Sequence, residues 1–452
     1  MCMASSGNDL RPTPGPDPRL DAARRLGAHV ADRLGADLSL QLWNGEVLPL
    51  GPGARGDIRI VVARPDAIRR LLLRPGLTTV FQLVGAGDLT IEGGSPLDAA
   101  DRWDHASAVS LARRLDKRLV LQSALPFLLR RGDPAGVAPA WTADDGVGSD
   151  RAGRRDGDFI RFHYDVGNAF YGLFLDPEMV YSSAVFHDAE ASLEDAQTHK
   201  LDLICRKLRL RPGQRLLDIG CGWAGLACWA AQKYGIHVHG VTLSQAQLDF
   251  GLEKVARLGL QDRVTLELRD YRDVTDWGAY DAVSQVEMFE HLGFAQHDAH
   301  FRHVRRLLKP GGLHFHQASI RRDGKAALRP TPTTRAITRF IFPGGELDSL
   351  GMTVAGLGRA GFEVLDVETL REHFEKTLRI WSNRLHERRA EAEDLVGAPR
   401  TRLWLLYFAL FAKGFERGAV SVHQTVARKR SPGASGLPLD RGSLYLKDPR
   451  PL

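Results

Sequence analysis

The run Leu216-Leu217-Asp218-Ile219-Gly220-Cys221-Gly222-Trp223-Ala224-Gly225 constrains this chain most. An apolar strand that passes through an acid into a glycine-rich turn predicts a pocket for a nucleotide-like ligand. Backbone amides can approach such a ligand closely where a Cβ would clash. Gly220, Gly222 and Gly225 also satisfy G-x-G-x-x-G, so a dinucleotide site is one reading of the turn taken alone.

The residues downstream separate the two cofactors. A nicotinamide-binding unit usually places Asp or Glu about 20 residues beyond the glycines to hold a ribose hydroxyl. Here the next apolar run, Ile236 to Val241, leads into Thr242-Leu243-Ser244-Gln245, with no carboxylate. The run after it, Val264 to Leu268, ends in Arg269-Asp270-Tyr271, an acid and an aromatic suited to gripping and stacking on an adenine. The pattern favours S-adenosylmethionine over a dinucleotide.

Strand-like runs at Arg215 to Ile219, Ile236 to Val241, Val264 to Leu268, Tyr280 to Val286, Gly312 to Ile320 and Phe362 to Leu370 alternate with helical periodicity. This predicts an α/β fold, Rossmann-like and doubly wound, with ligands bound beyond the carboxyl ends of the strands. At 452 residues the chain has room for two or three domains. Residues 1–18, rich in proline, read as a disordered leader, and 19–131 as a smaller N-terminal α/β domain with a lipid or accessory role. Residues 132–157 read as a linker and 158–452 as the main domain. Within it a lid insertion is expected at about 321–361, irregular up to Pro343, and a helical segment at 401–428.

No run reaches the roughly 18 apolar residues of a membrane span. Asp9, Arg11 and the prolines stand where a signal peptide needs an apolar stretch, so a cytoplasmic protein is expected. Cys2, Cys205, Cys221 and Cys228 form no C-x-x-C pair and read as reduced thiols. His297, His300 and His303 step by three along a helix but lack carboxylate support, so no metal is expected. The net charge of +6, from 61 basic against 55 acidic residues, fits attraction to an anionic surface. Clusters such as Arg113-Arg114, Lys117-Arg118 and Arg130-Arg131 suit phospholipid head groups, although nucleic acid or plain solvation would use them equally.

Ahead of the sheet stands His163-Tyr-Asp-x-Gly-Asn168, then Tyr181-Ser182. With Leu216-Asp-Ile-Gly-Cys-Gly-Trp223, Gly240-Val-Thr-Leu-Ser244, Asp270-Tyr-Arg-Asp273, Met288-Phe-Glu-His291 and Leu308-Lys-Pro-Gly311, the chain resembles the cyclopropane-fatty-acid synthase family, including its mycolic-acid-modifying relatives. The resemblance covers about Asp158 to Arg428. It implies a class I methyltransferase that moves a methyl group from S-adenosylmethionine onto a cis double bond of an unsaturated phospholipid acyl chain. It also implies contact with the inner membrane surface, no nucleic-acid partner, and a homodimer.

An alkene is a poor nucleophile, so it must lie about 3–3.5 Å from the sulfonium methyl with water excluded. Attack leaves a carbocation, which the aromatics between Phe159 and Phe186 are suited to stabilise. In the family a bound bicarbonate is implied as the base that allows ring closure. Matching residue by residue gives Glu290 and His316 as its ligands, with Ser183 at a cysteine position and Ser382 at a tyrosine position. Ala318 stands at an apolar position two beyond the histidine. Ring closure is the expected outcome; as a second reading Glu287, three residues before Glu290, replaces or assists the anion, in which case methylene- or methyl-branched chains would replace the ring. A lipid-binding relative without turnover is a third reading. By the same matching, cofactor contacts are implied for Tyr181, Ser182, Asp218, Gly220, Gly222, Thr242, Leu243, Gln247, Tyr271, Arg272 and His291.

Overall fold

The computed structural model describes residues 17–103, 114–129, 163, 166–322, 332–435 and 437–444. The linker expected at 132–157, and all but the last two residues of the expected leader, lie outside that set. The chain divides into two compact units, Met1–Val137 and Ala138–Leu452.

In the first unit, α1 (Pro18–Leu34) starts at Asp17, whose side chain accepts from the Arg19 N–H at 3.1 Å, and ends at Gly35 with φ +60°. That pairing of an acid cap, a proline in the first turn and a left-handed glycine defines both ends of the helix. Strands β1 (Ser39–Gln41), β2 (Val47–Pro49), β3 (Arg59–Val62) and β4 (Leu89–Glu92) form a sheet in the order β2-β1-β3-β4. Helices α2 (Pro65–Leu73), α3 (Leu77–Ala86), α4 (Pro96–Asp101) and α5 (Lys117–Leu128) complete the unit. Among the described residues three small cores form, one around Leu34, Leu38, Leu50 and Ile58, a second around Ala22, Leu42 and Phe127, and a third around Val62, Ala67 and Leu83. Helix α5 exposes Leu121 (70%), Leu125 (55%) and Leu128 (39%), spaced i, i+4, i+7 on one stripe.

The second unit opens with α6 (Asn168–Tyr171) and α7 (Leu193–Lys207). It then alternates β5 (Arg215–Ile219), α8 (Gly225–Tyr234), β6 (His237–Thr242), α9 (Gln245–Arg257), β7 (Val264–Leu268), β8 (Tyr280–Val286), α10 (His297–Leu307) and β9 (Leu308–Arg321). After α11 (Pro332–Phe340) and α12 (Leu350–Arg359) come β10 (Phe362–Thr369), α13 (Arg371–Glu387), α14 (Arg389–Val396), α15 (Ala398–Glu416) and β11 (Val420–Lys429). The seven strands lie in the order β10-β11-β9-β8-β5-β6-β7, and β11 alone runs against its neighbours. Strand order reverses at β5, which sits between β6 and β8, and such a switch point opens a crevice at the carboxyl ends.

Two segments depart from the sequence expectation. The helical segment expected at 401–428 breaks at Glu416, and its second half is the strand β11. Gly418 at φ +64° ends the helix, and the β-branched Val420, Val422, Thr425 and Val426 suit a strand. The insertion expected to be irregular up to Pro343 contains the helix α11. The aromatic stripe of α15 is core: Trp404, Phe408 and Phe415 are all buried.

Candidate active site

A pocket opens beyond the carboxyl ends of β5, β6 and β8, and all eleven cofactor candidates line it: Tyr181, Ser182, Asp218, Gly220, Gly222, Thr242, Leu243, Gln247, Tyr271, Arg272 and His291. Gly220 (φ +74°) passes so close to Met288 that a Cβ would lie 3.1 Å from its side chain. Gly222 (φ +54°) is different: a Cβ there meets no protein atom within 4 Å and projects into open space. The turn thus bares its amides to the pocket, as phosphate- and nucleotide-binding turns do.

Asp218 is buried and accepts from Ser284 Oγ at 2.7 Å, while burial pushes its carboxyl up to about 6. Thr242 Oγ1 donates to Gln247 Oε1 at 2.7 Å, which fixes the glutamine at the end of β6, where a nicotinamide enzyme would carry an acid. Asp270 caps the turn Tyr271–Asp273, accepting from both the backbone N–H and the Nε of Arg272 at 2.9 Å. Burial pushes His291 down to about 4, so it faces the pocket as a neutral ring at pH 7.

Lys200 also lines the pocket, and sequence reasoning missed it. Its Nζ donates to Ser182 Oγ at 2.6 Å, and burial lowers its pKa to about 8 against the opposing pull of Glu287 and Asp176. The signal was a lysine on the buried stripe of α7, at helical spacing between Ala196 and Ile204.

The residues expected at the reacting end do not converge as a group. Glu287, at the end of β8, has φ +51°, a conformation uncommon outside glycine. Its Oε1 accepts from the Ser183 N–H at 2.9 Å and from Gln317 Nε2 at 2.7 Å. Burial raises its pKa, opposed by these two donors and by Lys200. Glu290 follows on the next turn, its Oε1 accepting from the Ser319 N–H at 2.5 Å. Burial, followed by the charge of Glu287, raises its carboxyl well above the usual range. Ser183 directs its backbone N–H at Glu287, while its hydroxyl donates to the Ala184 carbonyl at 3.1 Å.

His316 stands elsewhere. Alternation along β9 puts Gln317 and His316 on opposite faces of the sheet, and it is Gln317 that reaches the carboxylates. His316 packs against Phe289 (4.8 Å), Phe301 (5.6 Å) and His314 (5.9 Å), with neither ring nitrogen hydrogen-bonded. Ser382 lies wholly buried in α13, its hydroxyl also without a partner. The three histidines of the α10 segment each meet their own neighbour: His300 Nε2 lies 2.8 Å from Gln285 Oε1, His303 Nε2 lies 3.0 Å from the Tyr271 carbonyl, and His297 Nδ1 lies 3.5 Å from Asp348.

Above the carboxylates the wall is aromatic. The ring of Tyr181 lies 5.1 Å from Tyr171, 5.2 Å from Trp381, 5.7 Å from His163 and 6.2 Å from Trp404. Part of this cage comes from the segment the sequence singled out, the rest from α13 and α15. Such a wall excludes water, and its ring faces favour positive charge.

Sheet order and pocket together define an S-adenosylmethionine-dependent methyltransferase of class I. A family model described as mycolic acid cyclopropane synthetase matches residues 152–425, and the chain belongs to that family. It is similar to a probable fatty acid methyltransferase of Pseudomonas putida, 36% identical over 414 residues, spanning 90% of this chain and 96% of that one. A probable fatty acid methyltransferase of Mycobacterium tuberculosis is 42% identical over 287 residues, 63% of this chain and 66% of that one. Among solved structures, mycolic acid cyclopropane synthase CmaA1 complexed with SAH and CTAB aligns at a TM-score of 0.57 and 32% identity. That alignment covers 60% of this chain and 98% of the other. The protein is a lipid methyltransferase that uses S-adenosylmethionine.

Proposed function

We propose that the protein methylates the cis double bond of an unsaturated phospholipid acyl chain, and that Glu287 accepts the proton lost afterwards. When bound, S-adenosylmethionine supplies a methyl group on an electrophilic sulfonium. The glycine turn, Gln247 and the Asp270–Tyr271 pair hold the donor, and the cage around Tyr181 aligns the olefin and excludes water. The olefin's electron pair bonds one of its carbons to the methyl group as the methyl–sulfur bond breaks, so that a neutral thioether is the leaving group and the cation lies on the neighbouring carbon.

The observation that carries the reading is Glu287 on the pocket wall with Glu290 behind it. A bicarbonate fits this geometry poorly. Glu287 already takes the Ser183 N–H that an anion would need, its own charge would repel one, and His316 faces away. In such a pair Glu290, with the single Ser319 N–H donor and the charge of Glu287 beside it, holds its proton, while Glu287, with two donors and Lys200 facing it, stays ionised as the base.

Two products follow from the order of the next steps. Removal of a proton from the new methyl group closes a cyclopropane. If a hydride first moves from the methylated carbon to the cationic one, the same removal leaves a methylene branch, C=CH2, on the open chain. Two hydrogen bonds on Oε1 weaken Glu287 as a base and give the hydride time to move, which favours the methylene-branched chain. The relatives named as fatty acid methyltransferases are compatible with either product, and the family description makes the ring the second reading.

The reading includes a cytoplasmic protein that meets its substrate at an anionic inner membrane surface. Support comes from the Leu121, Leu125 and Leu128 stripe of α5, beside the exposed Arg114, Lys117 and Arg118. The test is incubation with labelled S-adenosylmethionine and unsaturated phospholipid vesicles, followed by mass and proton NMR analysis of the released chains. Vinyl protons on a chain heavier by one carbon are expected. High-field ring protons would replace the branch by the ring, and chains without label would sink the whole reading.

A further inference from the structure

Behind Glu287 a buried row of side chains crosses three elements. Lys207, the last residue of α7, donates from Nζ to Gln424 Oε1 at 2.8 Å; Gln424 Nε2 donates to Gln317 Oε1 at 2.9 Å; and Gln317 Nε2 donates to Glu287 Oε1 at 2.7 Å. Gln424 and Gln317 stand directly opposite each other in the β11–β9 register, and both are wholly buried.

An ammonium group only donates, and an ionised carboxylate only accepts. Between those two ends each amide has a single orientation. Turning either one around sets an NH2 against the ammonium or a carbonyl oxygen against the carboxylate. We propose that Lys207 is a positioning residue for Glu287, acting through Gln424 and Gln317 to hold Oε1 as an obligatory acceptor and leave Oε2 to take the proton.

The inference rests on Glu287 being the base. The Ser183 N–H falls on the same Oε1, so both donors leave Oε2 toward the pocket. The charged and titratable groups facing Glu287 are Lys200 from α7, Glu290 from the following turn and Tyr407 from α15. At the far end, Lys207 is held by Asp366, at 3.4 Å, and by Glu368, both from β10. Without the ammonium the amides are free to reverse, and a protonated Glu287 can then donate to Gln317. Loss of Lys207 therefore favours the protonated acid.

The experiment compares Lys207→Met, Gln424→Met and Lys207→Arg. Glu287 is titrated by infrared difference spectroscopy, its carboxyl band being assigned by its loss in Glu287→Gln. Methyl-transfer pH profiles are recorded in parallel. Both methionine variants should raise the Glu287 midpoint, and the acid limb of kcat with it, by about one pH unit, the worth of one buried hydrogen bond. Lys207→Arg keeps a donor and should return both toward wild type. Gln424→Met leaves Lys207 with Asp366 and Glu368, so it covers the case in which Lys207→Met does not fold. A folded Gln424→Met protein with an unmoved midpoint would overturn the relay. If wild type methylates no acyl chain, the proposed function fails, while the titration still decides the relay.

Discussion

Replacing Glu287 by glutamine removes the proposed base with little change of shape. In the native protein both hydrogen bonds to the carboxylate fall on Oε1, from Ser183 N–H and Gln317 Nε2. A glutamine carbonyl can accept both, with its NH2 in the place of Oε2, so the loop geometry and the positive φ of residue 287 should persist. What disappears is basicity on the pocket wall and the countercharge of Lys200. A positioned general base contributes about 10²–10⁴ in rate, or roughly 2.7–5.5 kcal/mol of barrier at about 1.36 kcal/mol per decade. Cofactor affinity should change by less than about threefold, since no covalent or hydrogen-bonding group of the glycine turn is altered. The assay is single-turnover methyl transfer from labelled S-adenosylmethionine to unsaturated phospholipid, beside calorimetric titration of the cofactor. Wild type should lose activity as pH falls through the raised carboxyl range of Glu287, because the base must be ionised. The variant should lack that limb. A Glu287→Gln enzyme with turnover within about threefold of wild type would refute the assignment.

Gly222→Val should weaken S-adenosylmethionine binding by at least about tenfold, because its side chain would enter open pocket space at φ +54°; unchanged affinity in calorimetry would contradict the placement. Burial lowers His163 to about 3 and His291 and His314 to about 4. Between those values and the unfolded value of about 6.5, the unfolded chain binds more protons, so stability present above about 6.5 is lost as pH falls, at roughly 1.4 kcal/mol per unit for each ring. Urea unfolding at pH 7.5 and 5.5 checks this, and equal midpoints would count against neutral buried rings. Changing Leu121 and Leu125 together to glutamate should lower binding to anionic vesicles by at least about tenfold, each leucine contributing roughly 1.5–3 kcal/mol on burial. Cofactor affinity should not change, and undiminished vesicle binding would remove α5 from that role.

The cofactor half of the site was legible because its parts are local. Asp218, the glycines, Thr242 with Gln247, and Asp270 with Tyr271 each sit where one strand meets the next turn, and strand-end chemistry reads directly from consecutive residues. The reacting half was not. One position along β9 separates His316 from Gln317, and in a strand one position is a change of face. Matching by residue type chose the histidine, whereas pairing of β9 between β8 and β11 turns the glutamine toward Glu287. The strand β11 was itself read as helix, since aromatic residues at helical spacing run up to Phe415 and only Gly418 marks the break.

Sequence alone determined the alternation of strands and helices from β5 to β9, the class of cofactor and the family, because these follow from short-range patterns of apolar, glycine and acidic residues. Tertiary structure decided which polar groups meet. Lys207, Gln317 and Gln424 are far apart in the chain and unremarkable in composition, yet buried side chains must find partners. Here Gln424 and Gln317 join Lys207 to a single carboxylate, that of Glu287.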